Sequence, residues 1–334
     1  MTAADGVERA AGARAPHEDA VPAHRRRGAF WLPGDLREDE RGPWQLGPAW
    51  VQWEAPAEPA GRPTLVLVHG GGSQSTDWLG TTGADAGWAE LAVRDGHPVY
   101  LLDRPGHGRS PWDPARLGLR TPFPDHAGLD FLVPRDGERA AAHTAWPWAR
   151  TAGTPHADAQ VASSSGLLLD MALGQDLDAR RLVDLLLRTG PAVVVAASAG
   201  APAAWLAADR APGLVTAVVA LEPLGPPYLE LGPLGRLSDG LTAVPLARSA
   251  AGGPTRLAGL PVCVVTGEAS GRLAADRATV AHLRDGGARV DHLELAAHGV
   301  RGNGHGLAAE ANNAESWALV AEWIGTATAG SPST

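Results

Sequence analysis

Three short stretches of this 334-residue sequence hold the residues that could do covalent chemistry. "VVVAASAGAPAAW" (193–205) runs as an apolar strand, stops at Ser198 between alanines and continues as a helix. A strand ending in small-x-Ser-x-small before a helix is the sequence form of a nucleophile elbow. Its tight turn leaves no room for bulky neighbours, and the helix start beneath it favours developing negative charge. Here the letters are Ala196-Ala197-Ser198-Ala199-Gly200, with Ala in place of the usual first Gly. Alone, they read equally well as a helix N-cap.

A serine hydroxyl becomes a useful nucleophile only with a base to take its proton, an acid to orient that base and N–H groups to receive the oxyanion. "VHGGGSQSTDW" sets His69-Gly70-Gly71-Gly72 just past the first long apolar strand, where glycine lets the backbone approach a substrate carbonyl. The N–H groups of Gly71 and Ala199 are therefore the expected oxyanion donors. No Gly-Lys-Ser/Thr follows, which argues against a phosphate loop. Two histidines, His298 and His305, lie beyond the strand "VDHLELAA", and three acids, Glu222, Glu268 and Asp276, lie at or after strand ends. Cys263, the sole cysteine, sits in the apolar run "LPVCVVTG" and reads as a buried strand residue.

These residues need a scaffold that brings strand ends together. "TLVLVHG", "PVYLLD", "PAVVVAAS", "VTAVVALEP", "LPVCVVTGE" and "ARVDHLELAA" read as strands, and amphipathic helical stretches lie between most of them. Near-continuous Val, Leu and Ala character implies a mostly parallel sheet covered on both faces, an α/β fold. Two aromatic pieces, "GAFWLPG" and "AWVQWEAP", precede this series as further strands. Residues 1–27 read as a disordered tail and 28–330 as one domain. Residues 111–175, rich in Pro and carrying Trp112, Trp146 and Trp148, break the rhythm and are expected to form a cap over the site.

The HGGG segment, "LLDRPGHGRSPW", the Ser elbow and a histidine before the last helix stand in the order of the α/β-hydrolase fold. The likeness covers roughly residues 60–325. More narrowly, "GAFWLPG", "VQWEAP", "GLTAVPL" and "RGNGH" followed by "NN" resemble a small group of bacterial serine esterases. That resemblance implies a triad acid that is a Glu after the sixth strand, here Glu222, and a base at the histidine of "RGNGHG", here His305. The residues support the same choice of acid. Where the common arrangement puts an Asp three residues after "VVTG", this chain has Ser270, whereas Glu222 closes its strand. Glu268, Asp276 and His298 remain the competing assignments. His69, His107, Asp103 and Arg104 read as loop-holding residues.

Composition narrows the partners. A formal net charge of −9 opposes binding to nucleic acid or anionic membranes, and the Arg25-Arg26-Arg27 cluster reads as a solvated part of the tail. No apolar run suits a signal or spanning segment, and one cysteine permits no internal disulfide, so a cytoplasmic location is expected. Dispersed histidines lack ligand spacing, so no metal site is expected, and acyl transfer through a serine requires no cofactor. Twelve Trp against three Phe and two Tyr make the aromatic surface nearly all indole, and the cap suits an apolar, small-molecule ester or lactone. The reading is a serine hydrolase working through Ser198, His305 and Glu222. A lactonase, thioesterase or acyltransferase would use the same triad, and a non-catalytic relative of the fold is the reading from a different class. A homodimer is compatible with the sequence.

Overall fold

The computed structural model describes residues 24–80, 86–122, 125–247 and 256–329. Among them ten strands form: β1 (Arg25–Leu32), β2 (Asp35–Asp39), β3 (Gly42–Leu46), β4 (Ala49–Pro56), β5 (Leu65–Val68), β6 (Val99–Asp103), β7 (Ala192–Ala197), β8 (Val215–Leu221), β9 (Pro261–Thr266) and β10 (Arg289–Glu294). Eight of them make one sheet in the order β1-β4-β6-β5-β7-β8-β9-β10, while β2 and β3 pair as a separate hairpin. Pairing is parallel from β6 through β5, β7, β8 and β9 to β10, and antiparallel where β4 meets β6 and β1.

The expected two-sided sheet follows from strict alternation. Val66, Val194, Val218 and Val264 point into one core, and their chain neighbours Leu67, Val195, Val219 and Val265 into the other. The nine helices of the described residues are α1 (Trp88–Arg94), α2 (Pro114–Leu117), α3 (His126–Leu132), α4 (Gly137–Ala142), α5 (Pro155–Ala162), α6 (Met171–Thr189), α7 (Ala201–Arg210), α8 (Leu273–Asp285) and α9 (Asn313–Thr328). Leu182, Leu185, Trp205 and Val280 bring α6, α7 and α8 onto the first face. Trp88, Trp317, Val320 and Ile324 bring α1 and α9 onto the second, joined there by Trp78.

The segment between β6 and α6 is an inserted cap of four short helices, α2 to α5. It carries a core of its own, in which Leu129, Val133, Trp146, Ala157 and Val161 pack together. Helix α6 starts at Met171, where the Asp170 side chain accepts a hydrogen bond from Leu173 N and caps it. At the other end of the chain, residues 1–23 of the expected tail lie outside the described residues. Its last three do not behave as tail. Arg25, Arg26 and Arg27 open β1, paired with Pro56, Ala55 and Glu54, and Arg25 forms a 2.9 Å ion pair with Glu54.

Candidate active site

Ser198 stands one residue past the end of β7, in a single 3-10 turn that leads into α7. Its φ of 45° is the left-handed backbone that a non-glycine residue adopts only when its surroundings enforce it. The enforcement is close packing. A Cβ on Gly200 would collide with the His69 carbonyl oxygen, so the last small letter of the elbow must be glycine. Ala196, the letter that departs from the usual pattern, is fully buried inside β7, where a methyl fits.

Glu222 follows β8 directly, also at a positive φ of 43°. Its main-chain N–H is bonded to Val265 O at 2.9 Å. The carboxylate is 1% exposed; Oε1 accepts from Gly267 N at 2.7 Å and Oε2 from His305 Nδ1 at 2.5 Å. With that proton on Nδ1, His305 Nε2 is left to accept from Ser198 Oγ at 3.0 Å. His305 reaches over from the loop between β10 and α9. Glu310 holds that loop from below, accepting from Gly304 N at 2.9 Å and Asn303 Nδ2 at 2.8 Å.

The other sequence candidates lie elsewhere. Glu268 turns outward, accepting from Arg301 Nη1 at 2.8 Å and Gly302 N at 3.0 Å. His298 is exposed at the end of a 3-10 turn after β10. Asp276 is fully buried in α8 and accepts from Thr266 Oγ1 at 2.7 Å; burial, then the nearby Glu222 charge, pushes its carboxyl up to about 7. Burial pushes the Cys263 thiol up to about 12, which fits a strand residue and not a nucleophile. Among the described residues no three His, Cys, Asp or Glu side chains converge in a way that could hold a metal ion.

Gly71 and Ala199 are neighbours in space, since a Cβ on Gly71 would lie 3.1 Å from the Ala199 methyl. Beside them opens a cavity of about 310 Å³ with Ser198 and His305 in its wall. Its body is apolar, contributed by Trp78 and Leu221 from below and by Leu129, Phe131, Val133 and Trp146 from the cap. The Phe131 ring meets the His305 imidazole edge to face at 4.8 Å. Asp77 adds an acid to this wall. Burial pushes its carboxyl up to about 7 despite a 2.5 Å hydrogen bond from Ser73 Oγ. Spacing gave no hint of Asp77, nor of the buried pair formed by Arg104 and Asp178, whose partners are distant in sequence.

A curated protein of Fungal sp. (strain ATCC 74256), "Probable secreted lipase phiG", is 29% identical over 311 residues, 82% of this chain and 85% of its own length. The solved structure of a novel bacterial esterase matches 92% of this chain and 98% of its own with a TM-score of 0.69 at 23% identity, a likeness of fold. The first of these overturns the cytoplasmic expectation, because that relative is described as secreted. A single buried cysteine leaves no disulfide to form in any compartment, so its presence does not fix the location. No helix of the described residues is long and apolar enough to cross a membrane. Residues 63–232, just over half of the sequence, match the alpha/beta hydrolase fold, and the chain belongs to that family.

Proposed function

We propose that this chain is a serine hydrolase that cleaves carboxylic esters through an acyl-enzyme. The observation that carries the reading is the unbroken relay Ser198 Oγ, His305 Nε2, His305 Nδ1, Glu222 Oε2, with contacts of 3.0 and 2.5 Å at the wall of an apolar cavity. Ser198 Oγ attacks the ester carbonyl carbon while its proton passes to His305 Nε2, and the carbonyl electron pair becomes an oxyanion facing Gly71 N–H and Ala199 N–H. Collapse breaks the bond to the alkoxy oxygen, which takes the proton from His305 and leaves as an alcohol. Water then repeats the sequence on the acyl-enzyme, its proton going to His305 and on to Ser198. Glu222 keeps the imidazole in the working tautomer and balances its transient positive charge.

The names of the relatives, a lipase and an esterase, support ester cleavage, and the fungal relative's description as secreted supports action outside the cytoplasm. The cap's Phe131, Trp146 and Leu129 favour an ester with an apolar, ring-sized portion. Ser198→Ala is expected to fold like the parent, to lose nearly all hydrolysis of p-nitrophenyl esters and to escape labelling by a fluorophosphonate. Substantial retained turnover would sink the reading. A panel of esters, lactones and thioesters separates the acyl donors, and short acetyl esters turning over far faster than aromatic or longer-chain ones would overturn the substrate preference.

A further inference from the structure

The peptide group that carries Gly71 N–H also carries the Gly70 carbonyl, and a trans peptide is planar with its N–H opposed to its C=O. Whatever fixes the Gly70 oxygen therefore aims the Gly71 proton. That oxygen has two donors, Arg104 Nη2 at 2.8 Å and His69 Nδ1 at 2.9 Å. His69 is itself set by Arg104, whose main-chain N–H donates to His69 Nε2 at 3.1 Å. Arg104 thus grips the carbonyl once through its guanidinium and once through the imidazole. The Ser198–Ala199 peptide is anchored in the same sense, because Ser198 O accepts from Leu224 N at 2.9 Å on the side away from Ala199 N–H.

We propose that Arg104, held by Asp178, is a positioning residue that aims the Gly71 N–H at the substrate oxyanion. The inference rests on the ester-hydrolase reading above, which gives Gly71 its role. Arg104 is 3% exposed and Asp178 2%, and the two meet at 2.8 Å with Asp178 reaching out of α6. A buried ion pair seldom adds net stability over a well-packed apolar pair, so its position needs another reason. Here the cation ends on the back of one oxyanion peptide and stands 3.4 Å from the Ala199 carbonyl of the other strand end. A charged donor on a carbonyl oxygen also polarises the peptide and strengthens its N–H as a donor. Asp178 leaves the guanidinium neither uncompensated nor free to swing.

Removing Arg104 alone would strand a buried carboxylate, so the test uses Arg104→Met with Asp178→Leu, an apolar replacement of the whole pair, alongside Arg104→Lys. With folding checked by circular dichroism, the double variant is expected to lose about 10- to 100-fold in kcat for p-nitrophenyl butyrate with KM changed less than about threefold. Its affinity for an alkyl trifluoromethyl ketone, which forms a Ser198 oxyanion adduct, is expected to fall by the same factor as kcat/KM, and Arg104→Lys to recover part of both. A merely structural pair would lower stability and leave the ratio of analogue to substrate binding unchanged. That result, or a folded double variant within about threefold of parental kcat, overturns the proposal. Should the parent hydrolyse no ester at all, the ester-hydrolase reading fails by itself. The anchor is then decided by crystal structures of parent and double variant: a Gly70 carbonyl that rotates away supports it, and one that stays in place overturns it.

Discussion

Glu222 and Glu268 both follow strands, and their difference is one of hydrogen-bond partners. Glu222 Oε2 accepts from His305 Nδ1, so a glutamine there can present its amide N–H₂ to the ring and reverse the tautomer, leaving Nε2 protonated and unable to accept from Ser198. Glu222→Gln is expected to lower kcat for p-nitrophenyl butyrate by about 100- to 10,000-fold without unfolding the chain. Glu268→Gln removes a half-exposed pair with Arg301 while its amide oxygen can still accept from Gly302 N, and it is expected to stay within about fivefold of the parent. Rate loss confined to the second variant would reverse the assignment. Ser198, His305 and Glu222 could be picked out in the sequence because each sits at a punctuation mark, where an apolar strand stops or a Gly-rich loop begins. Arg104 could be read only as a loop-holding residue and Asp178 not at all, since an arginine in a turn and an aspartate in an amphipathic helix look alike whether paired in the core or solvated. Only the fold, bringing residues 74 positions apart to 2.8 Å, tells them apart.

At the scale of elements, the central strands were legible because burial on two faces demands runs of Val, Leu and Ala. The β2–β3 hairpin escaped the sequence reading because neither strand buries a residue fully or carries an apolar run. The cap was legible as an interruption, but its attachment was not. It is tied to the His305 loop by Ala145 N to Gly302 O at 3.0 Å, by Ala311 N to Ala145 O at 2.9 Å and by His143 Nε2 to Glu310 Oε1 at 3.0 Å. His143 and Glu310 are 1% and 0% exposed, and Glu310 also holds Gly304, next to the catalytic candidate. His143→Ala removes one of three donors to a buried carboxylate and is expected to cost about 1–3 kcal/mol in denaturant unfolding. It is also expected to make the cap more sensitive to limited proteolysis. Unchanged stability and cleavage would mean that the cap is docked without the His143–Glu310 bond.

Across the whole molecule, two sets of buried groups set opposing slopes of stability against pH. Burial, then the Arg104 charge, holds His69 and His107 well below the ordinary histidine value, so the unfolded chain takes up protons that the fold does not as pH falls through about 6.5, and stability declines on that side. Asp77 and Asp276 do the reverse. Each is pushed up to about 7, so between about pH 4 and 7 the fold keeps a proton that the unfolded chain has lost, and stability declines as pH rises through that window. Asp276→Asn isolates the second slope. Its amide oxygen can still accept from Thr266 Oγ1, it mimics the protonated acid, and it leaves both histidines untouched, so their contribution cancels when variant and parent are compared. The melting temperature of the variant is therefore expected to exceed the parent's at about pH 8 by more than it does at about pH 4.5, with the gain growing through the interval and levelling above about pH 7. A gain independent of pH would mean that Asp276 titrates in the fold as it does in the unfolded chain, and that its burial beside Glu222 imposes no proton on the native state.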